Sequence, residues 1–416
     1  MTRGQLLLER RRPEDAAAAF MQVLAQQPDY TEAHFWLALA LMQIPDRMKD
    51  ALVAIEAAIA LDPEAPLLHA YRSRILTILR RTREAHQAAD SAMHLDPDGN
   101  LAYIAKAEVC CEEKQWAEAE RYLLIALNRE PDDELAGNLM AHTLRMQGKL
   151  EQNQATIEKL LAEDPNSCMG HCNAGWSCLQ QSRYEDAETH FAEALRLDPE
   201  FEAARAGLLE SFRARSPIYR SYLKYCFWMQ RFTAGRQFII IIGLIIAVRV
   251  LREVLGRISP LAGGLLVFAY IMLVLWVWVA SGIGNLVVLC DRKARVALNS
   301  GERMEAICVG GGLIAGLCLL GAGVLFGKTP LQMIGITMMV ASVPGALAFT
   351  NPSPLGRRLF TGMFAAGWAL GVMIALSAMG LFEAPVLDTL LGGYILLCVV
   401  CTWLGNIPSL RRAPVG

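Results

Sequence analysis

The sequence predicts an all-α chain in two parts, an N-terminal superhelical solenoid followed by a C-terminal bundle of transmembrane helices. Three observations carry this expectation. Pro28, Pro63, Pro97, Pro131, Pro165 and Pro199 recur at intervals of 35 residues once and 34 thereafter. The charge is split: residues 1–215 hold 23 Lys/Arg and 35 Asp/Glu, net -12, whereas 216–416 hold 16 and 6, net +10. Between the halves, residues 216–236 read SPIYRSYLKYCFWMQRFTAGR, with six aromatic and four basic side chains and no acid.

Proline cannot donate to a helical ladder and holds the residue before it away from helical angles, so each recurring Pro marks a helix end. Twelve residues before it stand Ala16, Ala51, Ala85, Ala119, Asn153 and Ala187, a small residue in every unit but the fifth. Four residues later come Phe20, Ile55, Ala89, Leu123, Ile157 and Phe191, completing an i, i+4 stripe on a second helix. Upstream, Ala38, Ser73, Ala107, Ala141 and Gly175 mark the close approach of a first helix. Each unit is thus a helical hairpin, which cannot cover its own apolar face and must stack.

A 34-residue hairpin with these offsets resembles the tetratricopeptide repeat. The sixth unit carries the resemblance most fully, with Gly175, Tyr184, Ala187, Phe191, Ala194 and Pro199 at the family's positions. Unit one is short in its first helix, unit two has an extra residue near Pro45, and unit five has Asn153 in place of alanine. Residues 1–215 are therefore read as about six repeats plus a capping helix over 202–212.

The resemblance implies a concave groove that binds a protein or peptide segment. In the family's register, Phe35, Leu39, Arg74, Ile104, Glu108, Asn138, His142, Cys172 and Trp176 line it. Phe35, Arg74, Glu108, Asn138, His142 and Trp176 are the candidate partner-binding residues, with packing between repeats the competing role for Phe35, Leu39, Ile104 and Trp176. No Lys occupies the places from which chaperone-binding members clamp a C-terminal carboxylate. The acidic solenoid would repel phosphate, which excludes nucleic acid as its expected partner.

Residues 216–236 are expected to form a juxtamembrane helix. Ile218, Tyr222, Tyr225, Met229 and Phe232 share one helical face, with Arg220, Lys224 and Arg231 on another. Amphipathic aromatics and basic side chains gather at membrane surfaces, so Tyr222, Lys224, Tyr225, Trp228 and Arg231 are candidate membrane-interface residues that meet lipid. The competing reading is a helix that caps the solenoid.

Residues 237–416 are read as the transmembrane domain. A helix needs about 20 mostly apolar residues to cross the hydrocarbon core. Six segments qualify: 238–255, 261–282, 306–326, 331–349, 359–382 and 389–407, with Pro344 expected to kink the fourth. Arg249, Arg252 and Glu253 make the first the weakest. Residues 284–303 read as a cytoplasmic surface helix. With the N-terminus inside, Arg231, Arg236, Arg292, Lys293, Arg295, Arg303, Arg357, Arg358, Arg411 and Arg412 fall on the cytoplasmic side. Arg252, Arg257, Lys328, Glu383 and Asp388 fall on the other, so the positive-inside rule is met. Gly312/Gly316, Gly323/Gly327 and Gly367/Gly371 let helices touch, within the bundle or between copies in a homo-oligomer.

The N-terminus lacks the apolar core and cleavage site of a secretory signal, and the scattered Cys fit a reducing compartment. Cys168, His171 and Cys172 fall on one helix face, yet core thiols explain them better than a metal site. No HExxH, GxSxG or phosphate-loop motif occurs, so no catalytic, cofactor-binding or metal-ligating residue is assigned and no enzyme is expected. The whole pattern, including DRKARVAL and PSPLGRRL, resembles bacterial membrane proteins that carry tetratricopeptide repeats. The expected function is a scaffold at the bacterial inner membrane whose cytoplasmic solenoid captures a protein partner. The alternative is a transport or membrane-enzyme module in the bundle that the repeats regulate.

Overall fold

The computed structural model describes residues 1–292, 294–381, 384–405, 407 and 410. Lys293, Phe382, Glu383, Arg411 and Arg412, used above for span boundaries and orientation, lie outside the described residues. Among the described residues there is no strand.

Six hairpins open the chain. They are α1 (Thr2–Glu9) with α2 (Pro13–Gln26), α3 (Thr31–Met42) with α4 (Met48–Leu61), and α5 (Pro66–Ile78) with α6 (Thr82–Leu95). Then follow α7 (Asn100–Glu112) with α8 (Trp116–Arg129), α9 (Glu134–Gln147) with α10 (Leu150–Glu163), and α11 (Cys168–Gln180) with α12 (Tyr184–Leu197). Each hairpin turns on one left-handed residue: Arg11, Asp46, Arg80, Lys114, Gly148 and Ser182, with φ between 54° and 78°. Only Gly148 announces such a turn by residue type, because L side chains resist this conformation.

The small residues at the crossings let large ones enter. Phe191 of α12 is fully buried, and a methyl added at Gly175 or Gly207 would overlap its ring. Unit five solves its crossing with polarity. Asn153 donates from Nδ2 to the Ala141 carbonyl at 2.6 Å and accepts from Ser177 Oγ at 2.5 Å.

Two helices then leave the repeat pattern, α13 (Glu202–Arg213) and α14 (Pro217–Gln230). Next comes a long hairpin of α15 (Ala234–Ile258) and α16 (Pro260–Cys290). At 31 residues α16 is about 46 Å long, exceeding a hydrocarbon core of about 30 Å. Its C-terminal part reaches the solenoid, where Ala280 joins Phe191, Leu223 and Phe227 in one core and Val288 packs with Leu209.

The surface helix expected over 284–303 does not form. Residues 284–290 continue α16, Ala294–Ala297 make a 3-10 turn, and α17 (Ser300–Glu305) starts a new helix. Asn299 and Glu302 account for the new start, since each side chain caps the other's backbone amide at 2.8 Å. A π-helical segment, Ala306–Gly311, joins α17 to α18 (Gly312–Leu325). After these come α19 (Thr329–Ala348), which contains Pro344, α20 (Pro354–Ala378) and α21 (Ala384–Leu404).

Among the described residues, three helices are long and apolar enough to cross a membrane: Ser300–Leu325, Thr329–Ala348 and Pro354–Ala378, at the third, fourth and fifth expected spans. Shorter apolar stretches lie at Trp276–Cys290 and Thr389–Leu404. The first expected span forms α15, which includes Arg249, Arg252 and Glu253. Small residues serve contacts within the bundle. Gly316 lies against the Gly335 carbonyl and Met339, Gly323 against Gln332, and Gly371 against Thr337. Tyr394 donates its hydroxyl to the Thr337 carbonyl, tying α21 to α19.

Candidate functional site

The first helices of successive units stand side by side, and equivalent positions meet across them. Phe35 is half-buried and packs edge-on to Tyr71 at 5.1 Å, and the Arg74 guanidinium lies 5.3 Å from that ring. Arg74 pairs with Glu108 one unit along, Nε to Oε2 at 2.9 Å. Burial pushes the Glu108 carboxyl up, and Arg74 opposes that shift. Phe35, Arg74 and Glu108 thus form one continuous strip through Tyr71.

A second group lies on units five and six. Asn173 donates to Asn138 Oδ1 at 2.9 Å, and Asn138 donates to the Glu134 carbonyl at 3.0 Å. His142 accepts from Arg145 at Nδ1, 3.3 Å, and sits edge-on to Trp116 at 5.9 Å. Burial, reinforced by the Arg145 charge, lowers its pKa to about 4, so it is neutral at pH 7. Trp176 is covered by the guanidinium of Arg145 at 5.8 Å and by Phe227 of α14 at 6.5 Å. Glu134, Leu135, Asn138, Leu139, His142, Met169 and Asn173 enclose an open cleft of about 480 Å³. Leu135 and Met169 are 38% and 44% exposed at its mouth.

Sequence reasoning missed Tyr71, Arg145 and Asn173. Tyr71 stands three residues before the registered Arg74, Asn173 one beyond the registered Cys172, and Arg145 three beyond His142. Cys172 and Ile104, placed in the groove by register, are buried in the core instead. Burial pushes the Cys172 thiol up to about 12, so it behaves as a small apolar group. His171 contacts His190 and the Pro165 carbonyl, away from Cys172.

A family model for the tetratricopeptide repeat matches residues 1–66, and a second matches 168–201. The chain carries tetratricopeptide repeats. The TPR region is similar to a solved tetratricopeptide repeat protein from Parabacteroides merdae, at 18% identity over 49% of this chain and 80% of that one, TM-score 0.45. It is also similar to a thermophilic TPR protein of Thermus thermophilus, at 16% identity over 44% and 98%, TM-score 0.41. A third likeness is YrrB, described as a TPR protein with an unusual peptide-binding site, at 19% identity over 45% and 96%, TM-score 0.31. No curated protein matches the chain.

Beyond the last TPR unit, α14 turns an aromatic face inward. Tyr219, Leu223 and Phe227 are buried against the end of the solenoid and α16. Tyr222 is half-buried, while Lys224, Tyr225 and Trp228 are exposed. Arg220 stacks on Tyr184 at 4.6 Å. Arg231 ends the helix, its guanidinium beside Gly148 and its carbonyl accepting from Trp116 Nε1 at 3.2 Å.

The joint between TPR region and bundle adds a buried ionic network to this apolar packing. Arg213 of α13 is buried and binds Glu210 at 2.7 Å and Asn285 of α16 at 2.8 Å, with Glu302 at 3.7 Å. Asn285 passes the contact on, donating to Glu305 at 2.9 Å, and Ser281 donates to the same carboxylate at 2.5 Å. Tyr219 donates to Glu210 at 2.8 Å. The surrounding carboxylates raise the Arg213 pKa, so it stays charged despite burial.

Proposed function

We propose that the protein is a non-enzymatic adaptor of the bacterial inner membrane, anchored by its helical bundle, with the TPR solenoid on the cytoplasmic side holding a protein or peptide partner. TPR domains are protein-interaction scaffolds, and stacked hairpins offer extended concave surfaces for this purpose. The observation that carries the reading is the cleft at Leu135 and Met169, whose exposed apolar side chains stand beside the carboxamides of Asn138 and Asn173. Apolar pockets with a few placed polar groups suit an extended segment. The solenoid's net charge of -12 favours a basic one. Anchoring raises the partner's local concentration without new contacts. The bundle's own cleft, between α19 and α20, is lined by Ile334, Thr337, Met338, Gly367, Trp368, Gly371, Val372, Ala375 and Leu376. This apolar lining favours anchoring over a polar transport path.

A photocrosslinking residue placed at Leu135 or Met169, with Leu124 on a second helix as the control, tests the reading in membranes. The same discrete protein adduct at both groove positions and none at Leu124 is expected. Equal adducts at all three positions would sink the groove as the binding face. Recovery of the chain in the soluble fraction without detergent would sink the anchor.

A further inference from the structure

Where α14 hands over to α15, the chain crosses back onto the solenoid. Residues 231–233 sit on the hairpin turns of units four and five: Lys114 Nζ donates to the Phe232 carbonyl at 3.1 Å and Trp116 to that of Arg231. Between these parts lies an open cleft of about 640 Å³, lined among others by Lys114, Trp116, Trp228, Arg231, Thr233 and Arg236. Its three cations have no carboxylate within 4.0 Å among the described residues, and Glu118, the acid in its lining, is paired with Arg121. Arg231 also keeps a buried Nε without a hydrogen-bond partner.

The backbone adds to this charge. Thr233 precedes α15, a helix of 25 residues, without a side-chain cap, and the first ladder bond there is from Gln237. Among the described residues the Gly235 and Arg236 amides have no backbone acceptor, and the positive end of the helix dipole faces the same place. Helix N-termini with adjacent arginines favour phosphate, which a guanidinium grips through two parallel donors. Most cations of the solenoid are paired with an acid; here three cations and two indoles converge beside one lining acid, Glu118, which Arg121 already holds.

We infer that this cleft binds a phosphate group, formed jointly by Lys114 of the solenoid and Arg231 and Arg236 of the juxtamembrane turn. The apolar run of α15 starts at Phe238, two residues beyond Arg236. On the membrane reading above, on which this assignment of source rests, that puts the cleft at headgroup height, and the phosphate is that of an anionic lipid. Trp116 and Trp228 flank the glycerol side, as aromatics do at this depth. Occupation would lock the solenoid against the bilayer.

The full chain in maltoside micelles, which contain no phosphate, is titrated with phosphatidylglycerol, with diacylglycerol and with inorganic phosphate, and bound adducts are counted by native mass spectrometry. Phosphatidylglycerol adducts are expected and diacylglycerol adducts are not. The pair R231Q/R236Q should weaken the former ~10-fold or more, since each basic residue near such a headgroup contributes about 1 kcal/mol. R236E alone, at an exposed position, gives the same test if the pair fails to fold. Equal retention of inorganic phosphate and phosphatidylglycerol would keep the site and change its source to a soluble phosphate. Phosphatidylglycerol binding that neither variant alters, or no adduct at all, overturns the site. A chain that needs no detergent overturns the membrane reading separately.

Discussion

Arg213 and Asn285, 72 residues apart, are joined by a buried hydrogen bond of 2.8 Å from Nε to Oδ1. One belongs to the last helix of the solenoid and the other to the long helix of the bundle, so this bond fixes one part on the other. Asn285 accepts from Arg213 and donates to Glu305, which makes it a relay between a cation and a carboxylate. A carboxamide is suited to this because it offers both an acceptor and donors on one planar group.

Removing the cation should therefore damage the joint more than removing the relay. Arg213→Met leaves Glu210 and Glu302 without their shared cation and Asn285 Oδ1 without its donor, and breaking a buried ion pair from one side costs about 3–5 kcal/mol. Asn285→Leu strands one donor and one acceptor, at about 1–3 kcal/mol. Thermal melts of the detergent-solubilised chain, with protease release of the solenoid as a second readout, should rank the two in that order. An unchanged melt for Arg213→Met would mean that the joint is held by apolar packing alone.

Unit five offers a closed cycle. Asn153→Ala restores the residue type of the other units, yet it should destabilise by about 1–3 kcal/mol, because the buried Ser177 hydroxyl loses the acceptor of its proton and the Ala141 carbonyl loses a donor. Ser177→Ala added to it should recover part of the loss. Denaturant unfolding of the single and double variants measures the coupling, and strict additivity would show that the two side chains act independently.

This unit also shows what was legible in the sequence. The period, hairpin ends and crossing residues follow from Pro spacing and small side chains, which are local properties, and the structure places Ala16, Ala51, Ala85, Ala119 and Ala187 in the core as expected. Asn153 was readable only as an exception, because its partner Ser177 lies in the next unit. The capping box of Asn299 and Glu302 was legible in principle and was outweighed by the apolar spacing around it. Arg213 was invisible as a hub, since its partners lie in segments distant along the chain. The inward face of α14 was hidden for the same reason: Tyr219, Leu223 and Phe227 declare themselves aromatic or apolar, not which side they bury. Family register picks out Arg74, Glu108, Asn138 and His142 as equivalent positions of successive first helices, but no local signal separates Trp176 in the open from Trp176 under Phe227.

His142 gives the solenoid a pH dependence of defined sign. Its folded pKa, about 4, lies below the ordinary value near 6.5, so the unfolded chain binds the extra proton first. Stability should be full above about pH 6.5 and fall as pH drops toward about 4, by roughly 2 kcal/mol once its partial exposure is allowed for. His142→Gln should flatten this part of the profile. The check is urea unfolding of both proteins at several pH values between these limits; parallel profiles would assign the dependence to other groups.

Gly148 separates backbone strain from contact. It adopts φ 78°, and a methyl there would also come within 2.8 Å of the Arg231 guanidinium. Gly148→Ala should cost about 1 kcal/mol from the left-handed backbone alone. The guanidinium is the far end of a flexible side chain, so it can move at little further cost, but moving it disturbs the end of α14 where Trp116 Nε1 binds the Arg231 carbonyl. Gly148→Asn distinguishes the two effects, because asparagine tolerates the left-handed region while still carrying a side chain. Asn should regain most of the stability that Ala loses, whereas the tryptophan emission should shift in both variants. If Asn is as destabilised as Ala, the contact with Arg231 dominates, and the turn of unit five is held by α14 rather than by its own backbone.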